Sequence, residues 1–232
     1  LEESSKETWR QMEERKRLNA SFSHDLRTPL TVLEGHLDIL QKYSENGALS
    51  EEDISEIYSV MDIQLKRLIR YVSSMSKLQS LEDIPLSPKL TDTQELLKTI
   101  KNTADIICAG KKMHFVSDIH EPDVAVDIEI VLQVFENLMS NAARYAKSEV
   151  SVTCKTLNNH LLITVSDDGC GFDVKDIKIA TDPFYTTEKK SEGEHFGLGL
   201  NICKILCQRH GGGINLKNNK FGGASITAYF SS

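Results

Sequence analysis

The chain contains 232 residues and carries a formal net charge of −7, with 40% hydrophobic and 26% charged residues. These values exclude collagen-like and fully disordered chains, the acidic balance argues against a nucleic-acid-binding protein, and no run of the roughly 18 apolar residues needed to cross a bilayer is present. Five cysteines, an odd number thinly spread, favour a reducing cytosol over a disulfide framework, and a first residue other than Met leads us to expect a piece of a longer protein.

The N-terminal third has the composition of long helices, rich in Glu, Lys, Arg, Gln and Leu and with a single proline. Apolar residues recur there at steps of three or four in two stretches, which predicts two amphipathic helices. The stripes consist of Leu18, Phe22, Leu26, Pro29, Leu33, Leu37 and Leu40, and of Ile54, Ile57, Met61, Leu65, Leu68, Val72, Met75 and Leu78. Ser50 to Asp53 resembles a capping box that begins the second helix, with Asp in place of the usual Glu.

Two helices alone bury too little apolar surface to be stable at this length. We therefore expect residues 1–83 to form an antiparallel helical hairpin that dimerises into a four-helix bundle. The alternative is a hairpin that packs only on its own C-terminal domain.

Pro85 and Pro88 predict an extended linker over residues 84–89, because each proline disfavours helix in itself and in the preceding residue. Helix and strand periods then alternate, so residues 90–232 are predicted to form an α/β sandwich with helices over one face of a mixed sheet. The predicted helices cover 92–109, 127–146 and 197–210, and the predicted strands centre on Val152, Ile163 and Ala228, the first two joined by a hairpin at Asn158 and Asn159.

The first chemical motif surrounds His24 on the first predicted helix. His24 lies about 200° around the helix from its apolar neighbours two residues away, so it should face water or a partner. Asp25 is adjacent, and Thr28 follows one turn later on the same face. Pro29 cannot donate to the carbonyl of Asp25, which should loosen the helix beside the histidine. Taken alone, such a segment is more often an ordinary exposed histidine.

Two further motifs combine amides, a carboxylate and glycines. Asn137 and Asn141 lie one turn apart on a predicted helix, and amide oxygens there could bind Mg²⁺. Asp167 ends a predicted strand and is followed by Gly169 and Gly171, so backbone could approach a planar ligand while the carboxylate accepts a hydrogen bond from an amino group. Each motif alone is more often polar surface or a tight turn.

A polar segment without periodicity, residues 186–194, precedes the last predicted helix. Its Lys189 and Lys190 could screen phosphate charge or could simply be solvated. Gly197 and Gly199 then open the helix, where free amide groups and the helix dipole favour phosphate.

Taken in order, these motifs resemble the catalytic core of the two-component sensor histidine kinases. That core joins an HisKA-type dimerisation and phosphotransfer domain, here residues 1–83, to an ATP-binding domain of the GHKL (Bergerat) type, here 90–232. The resemblance covers the chain from about Ser21 to its end, and its boxes centre on His24, on Asn137 and Asn141, on Asp167, on Phe184 and on Gly197.

The resemblance implies an enzyme that phosphorylates His24 from ATP and passes the phosphoryl group to an aspartate of a response regulator receiver domain. Asp25 would bond the second ring nitrogen of His24, and Thr28 would orient a water when the same module dephosphorylates its partner. The family also implies a homodimer and a cytoplasmic portion of a membrane-anchored sensor, with no membrane contact by this fragment. Exposed residues below the histidine, such as Glu34 and Asp38 with His36, would then select the regulator.

The resemblance also assigns the cofactors, ATP and Mg²⁺. Asn137 and Asn141 would hold Mg²⁺, Arg144 would approach the phosphates, Tyr145 would stack near the base, and Asp167 would read the adenine amino group. Residues 182–196 would form a mobile lid over ATP. The remaining predicted nucleotide-binding residues are Gly169, Gly171, Phe184, Lys189, Lys190, Gly197, Leu198, Gly199 and Leu200.

The sequence departs from the family pattern around the lid, where His195 replaces the usual first glycine and Thr181 an aromatic residue. This leaves open a catalytically weak dimeric signalling scaffold. A GHKL-type ATPase is the other alternative, but its catalytic glutamate would stand at Asn137, and Glu136 lies about 100° around the helix.

A zinc face offers a different reading of the last predicted helix. Cys203, Cys207 and His210 follow one another at helical spacing, although buried small residues show the same spacing.

Overall fold

The computed structural model describes residues 26–43, 49–81, 85–183, 185 and 197–232. Its contacts divide the chain into two compact units, and for the described residues the boundary along the sequence lies between Lys77 and Leu78. None of the helices in the described ranges combines the length and the apolarity that a bilayer-crossing segment needs.

The N-terminal unit is helical, as predicted. Helix α1 covers residues 26–43 of the described chain, and α2 covers Glu51–Leu81. The predicted capping box begins α2: the Asp53 backbone N–H donates to Ser50 Oγ at 3.1 Å, while Asp53 Oδ2 accepts from Ser50 N at 3.0 Å and from Ser50 Oγ at 2.6 Å. These bonds lower the pKa of the Asp53 carboxyl, the side-chain bond from Ser50 most of all.

The two predicted apolar stripes are only partly buried in the single chain. Ile57 is buried and Pro29 lies buried within the continuous helix α1. Leu37, Leu65 and Val72 remain 53%, 51% and 50% exposed. Large apolar side chains on a charged helical unit are typical of a surface that another chain covers.

The C-terminal unit contains two sheets and three helices among its described residues. The elements are β1 Lys89–Asp92, α3 Thr93–Ile107, β2 Lys112–Asp118, β3 Asp123–Val126, α4 Ile128–Tyr145, β4 Glu149–Leu157, β5 His160–Asp167, α5 Gly199–Arg209, β6 Gly213–Asn218 and β7 Ala224–Ser231. The larger sheet has the strand order β2-β4-β5-β7-β6, in which β2 and β4 are parallel and the other neighbours antiparallel, while β1 and β3 form a separate antiparallel pair.

The helices cover one face of the larger sheet, which confirms the predicted α/β sandwich. Alternate residues of β4 and β5 are buried, because successive side chains of a strand point to opposite faces. The inward-facing residues form one core with the apolar side of α4 and α5. The opposite face carries hydroxyl pairs across the strands, such as Thr164 with Thr227 at 2.9 Å and Ser166 with Ser225 at 2.8 Å.

The predicted hairpin between β4 and β5 is present. Asn158 and Asn159 both have positive φ, 52° and 59°, which a two-residue hairpin turn matched to the strand twist requires.

Four strands carried no clear signal in the sequence: β1, β2, β3 and β6. β1 and β3 are only four residues long, and β2 and β6 lie at the sheet edges, where burial no longer imposes strict alternation. Residues 85–88 have no regular structure, but the Ser87 N–H donates to Asp127 Oδ2 at 2.9 Å, so the stretch is tied to the start of α4.

Candidate nucleotide site

Part of the predicted site falls outside the described residues: His24, Asp25, Phe184, Lys189, Lys190 and His195. Thr28 is described and is exposed on α1. The other predicted residues belong to the C-terminal unit, where helix α4 is the element around which they gather.

The structure brings the asparagine pair and the second glycine of the last motif together. A Cβ atom at Gly199 would lie 3.5 Å from Asn137 Oδ1 and 3.8 Å from Asn141 Nδ2. Asn137 Nδ2 donates to the Gln133 carbonyl at 2.9 Å, so the amide uses its donor within α4 and turns its acceptor oxygen toward Gly199. The space that a side chain at Gly199 would fill is therefore bordered by an amide oxygen and by the N-terminus of α5, which suits a cation and phosphate.

Packing between α4 and α5 explains why these two motifs meet. Cys203 and Leu206 of α5 are fully buried in the core that they share with Val134 and Leu138 of α4. Cys203 Sγ also lies 3.7 Å from the Val134 carbonyl oxygen. With its core face fixed in this way, α5 must begin beside the polar edge of α4.

Asp167 lies at the end of β5 with one carboxylate oxygen used and the other available. The side chain is 8% exposed, and Oδ1 accepts hydrogen bonds from the backbone N–H groups of Gly169 at 2.8 Å and Ala224 at 3.2 Å. No described residue donates to Oδ2. Burial raises the pKa of Asp167 even though both backbone bonds act in the opposite direction. The second oxygen of this largely buried carboxylate is suited to accept a hydrogen bond from an amino group of a ligand.

The glycine after Asp167 lets this turn approach the C-terminal end of α4. A Cβ atom at Gly169 would lie 2.8 Å from Asp167 Oδ1 and closer still to the Tyr145 carbonyl oxygen. Tyr145 is 38% exposed, and the Arg144 guanidinium lies 5.5 Å from its ring centroid. The predicted base-reading carboxylate and the predicted stacking residue are therefore neighbours.

The neighbouring carboxylate, Asp168, has a different environment, which sequence reasoning did not identify. It is partly exposed and accepts hydrogen bonds from the Lys147 N–H at 2.8 Å and from Ser148 Oγ at 2.6 Å. The bonds from Ser148, the side-chain bond most of all, hold the pKa of Asp168 well below its usual range. Asp168 thus ties the segment after α4 to the Asp167 turn.

Asn201, in the first turn of α5, also contributes without having been predicted. It is buried, and its Nδ2 donates to the Thr181 carbonyl at 3.0 Å, while Oδ1 has no partner among the described residues. The bond joins α5 to the residue that precedes the predicted lid. An asparagine at a core-facing helical position is the signal that could have identified it.

The zinc reading is wrong. Cys203 and Cys207 are buried in the apolar core, and burial raises the pKa of the Cys207 thiol to about 12 and that of Cys203 well above its usual range. His210 is occupied, since its Nε2 accepts a hydrogen bond from the Asp127 N–H at 2.9 Å. Within the described ranges, no group of three or more His, Cys, Asp or Glu side chains could hold a metal ion.

Two protein-family models match the chain. The His Kinase A (phospho-acceptor) domain matches residues 14–84, and the histidine kinase-, DNA gyrase B-, and HSP90-like ATPase matches residues 126–232. Similar curated proteins include the sensor protein kinase WalK of Staphylococcus epidermidis and that of Staphylococcus aureus, each 29% identical over 226 residues and 92% of this chain. The chain spans 36% of the length of these relatives, about a third.

Similar solved structures show the same fold. The Acinetobacter baumannii histidine kinase AdeS has a TM-score of 0.60 at 21% identity, and the match covers 90% of this chain and 97% of that one. Full-length ShkA has a TM-score of 0.61 at 22% identity, with 91% of this chain and 45% of that chain covered.

Proposed function

The chain belongs to the two-component sensor histidine kinases, with a phospho-acceptor domain followed by an ATP-binding domain, and we propose that it phosphorylates His24 from ATP. The phosphoryl group then passes to an aspartate of a response regulator. One observation carries the proposal: both parts of the site lie along a single helix, α4. Gly199 packs beside Asn137 near the middle of α4, and the Asp167 turn lies at its C-terminal end, where Gly169 contacts the Tyr145 carbonyl. The eight helical steps from Asn137 to Tyr145 span about 12 Å, a length that suits a nucleotide bound from its phosphates to its base.

For the nucleotide we propose roles that follow this axis. Asp167 Oδ2 accepts a hydrogen bond from the adenine amino group, and Tyr145 lies beside the base. Asn137 and Asn141 hold Mg²⁺, which when bound neutralises phosphate charge. The fit of Mg²⁺ is supported by the amide oxygen of Asn137 and by the space beside Gly199 that no side chain fills.

The glycines and the segment before α5 complete the proposed binding site. The backbone N–H groups at the start of α5 bind phosphate oxygens, and residues 182–196 cover the bound nucleotide. The further proposed contacts are Arg144, Gly169, Gly171, Phe184, Lys189, Lys190, Gly197, Leu198 and Leu200.

On the acceptor side, an imidazole nitrogen of His24 attacks the γ-phosphorus, the bond to the β,γ-bridging oxygen breaks and ADP leaves, while Asp25 holds the proton on the other ring nitrogen. Thr28 orients a water in the opposing phosphatase reaction, in which the aspartyl phosphate of the regulator is hydrolysed to aspartate and inorganic phosphate. The exposure of Thr28 supports this role, because a receiver domain must reach the helix face that carries it.

Hydrolysis by water as the main reaction is disfavoured by the residue at position 137. The catalytic base of an ATPase would stand one turn before Asn141, and the amide of Asn137 cannot accept a proton at neutral pH. A phosphoryl acceptor on the protein itself, His24, accounts for a nucleotide site that lacks this base.

We also propose the domain limits and the assembly. Residues 1–83 form the dimerisation and phosphotransfer domain, 84–89 the linker and 90–232 the ATP-binding domain. The matched range 14–84 supports the first limit. The exposed apolar residues of α1 and α2 support a homodimer. The complete protein is proposed to be a membrane-anchored sensor whose cytoplasmic portion includes this chain.

Incubation with γ-labelled ATP tests the function. Acid-labile, alkali-stable phosphate on the protein supports the kinase, free phosphate alone supports an ATPase, and neither product supports a scaffold. The His24→Ala variant should lose all protein-bound label, whereas His36→Gln, which changes a histidine of α1, should keep it. Label that persists in His24→Ala would refute the assigned acceptor.

A further inference from the structure

The Asp167 turn, residues 167–172, is held by a second turn that no sequence motif indicated. This second turn, residues 218–223, joins β6 to β7. Asn219 Nδ2 donates to the backbone carbonyl of Asp167 at 2.8 Å, and Asn219 Oδ1 accepts from the Phe221 N–H at 2.9 Å. One asparagine therefore links the β6–β7 turn to the peptide group of the carboxylate that is proposed to read adenine.

Asn218 holds the other end of the Asp167 turn. Its Oδ1 accepts from the Phe172 N–H at 2.7 Å and its Nδ2 donates to the Phe172 carbonyl at 2.7 Å. This amide satisfies both backbone groups of Phe172, as a neighbouring strand would. Because the paired bonds fix direction as well as distance, the turn cannot rotate about one contact.

Backbone contacts leave no room between the two turns. A Cβ atom at Gly171, which has φ +68°, would lie 2.7 Å from Asn218 Oδ1 and closer still to the Gly222 carbonyl oxygen. A Cβ atom at Gly223 would lie 2.7 Å from the backbone carbonyl carbon of Asp167. The donor to Asp167 Oδ1 from the far side, the Ala224 N–H, directly follows this turn.

We propose that Asn218 and Asn219 are positioning residues that aim Asp167 Oδ2 at the base, and that they thereby set the preference for a purine with an exocyclic amino group. The inference rests on the proposed role of Asp167. Of the two donors to Oδ1, the Gly169 N–H lies in the Asp167 turn and the Ala224 N–H directly follows the second turn. Displacing either turn would turn the carboxylate, and a hydrogen bond weakens steeply once its geometry is lost.

The test compares two nucleotides on the whole chain. Equilibrium dissociation constants are measured for ATP and for purine riboside triphosphate, in which hydrogen replaces the adenine amino group. The variants are Asn218→Ala and Asn219→Ala. The matched control is Asn215→Ala, an exposed asparagine of the same strand. The preference for ATP should fall about tenfold in each test variant, the value of one hydrogen bond to a charged acceptor, and should be unchanged in the control.

Parallel measurement of Asp167→Asn separates the two proposals. If the wild-type chain does not prefer ATP over purine riboside triphosphate, or if Asp167→Asn keeps that preference, the role of Asp167 in the proposed function is wrong. If Asp167→Asn loses the preference while both asparagine variants keep it, only the positioning role is wrong. If the asparagines have a purely structural role, their substitution should weaken the binding of both nucleotides equally and leave the ratio of the two dissociation constants unchanged. That result would also refute the inference. Melting temperatures identify a variant that fails to fold, and the other asparagine variant then decides the question.

Discussion

Two adjacent carboxylates, Asp167 of the proposed nucleotide site and its neighbour Asp168, should respond in opposite ways to the loss of their charge. Asp167 is buried, and burial raises its pKa. Asp168 is partly exposed, and hydrogen bonds from Ser148 lower its pKa. The substitutions Asp167→Asn and Asp168→Asn each replace one carboxylate oxygen by an NH2 group of similar size, so they remove the charge with little change in packing.

The sign of each effect follows from proton binding. An unfolded aspartate titrates near pH 3.9. Because the pKa of folded Asp167 is higher, the folded state binds more protons between the two values, and its contribution to stability is lost as the pH rises through the folded pKa. Asp168 behaves in the opposite way: its ionised form stabilises the fold above the unfolded pKa, and this contribution is lost only as the pH falls through its lowered value.

The expected magnitude for Asp167→Asn comes from two opposing terms. Oδ1 keeps its two backbone donors in the variant, but bonds to a neutral oxygen are weaker than bonds to a charged one by about 1 kcal/mol each, roughly 2 kcal/mol together. Removing a buried charge gains several kcal/mol in typical proteins, about 3 kcal/mol or more. Since burial is the larger influence on the pKa of Asp167, we expect the variant to be more stable at neutral pH by about 1 kcal/mol.

Urea unfolding of the C-terminal unit in the whole chain, followed by circular dichroism, measures these differences. The advantage of Asp167→Asn should shrink as the pH falls toward about pH 4, whereas Asp168→Asn should be less stable than wild type at neutral pH and remain so at that lower pH. Asp167→Asn should nevertheless bind ATP more weakly. A loss of stability in Asp167→Asn at neutral pH as large as in Asp168→Asn would refute the reasoning from burial.

Two further substitutions test local contacts. Ser50→Ala removes the capping hydroxyl of α2 and should destabilise the N-terminal unit by about 1 kcal/mol, seen as faster amide hydrogen exchange in the first turn, whereas Glu52→Ala in the same turn should not. Gly169→Ala places a methyl group against the Tyr145 carbonyl, so the variant should lose about 1–3 kcal/mol of unfolding free energy and should bind ATP more weakly. The control is Gly35→Ala, whose new Cβ atom has nothing within 4 Å. Equal stability of the two variants would contradict the contact.

The predictions that the structure confirms rest on interactions within a few residues. The capping box of Ser50 and Asp53 needs only groups three positions apart, and the hairpin at Asn158 and Asn159 needs only a turn that tolerates positive φ. The long helices and the central strands also have periodic burial, so their apolar residues mark them. Such features can be predicted from the order of residues because the interacting atoms are already close along the chain.

The sequence motifs predicted the residue types of the proposed nucleotide site, but not how these residues are brought together. Three contacts depend on how β5, α5 and the β6–β7 turn pack relative to α4. They are Gly199 with Asn137, Gly169 with Tyr145, and Asn219 with the Asp167 peptide group.

The sequence by itself therefore determined the fold class, the capped helix, the central hairpin and the kind of chemistry. The tertiary structure alone decided which amide oxygen faces Gly199, which oxygen of Asp167 accepts the two backbone hydrogen bonds and which asparagines hold the Asp167 turn. The physical reason is that these contacts join residues tens of positions apart, and only the packing of the shared apolar core brings such residues together.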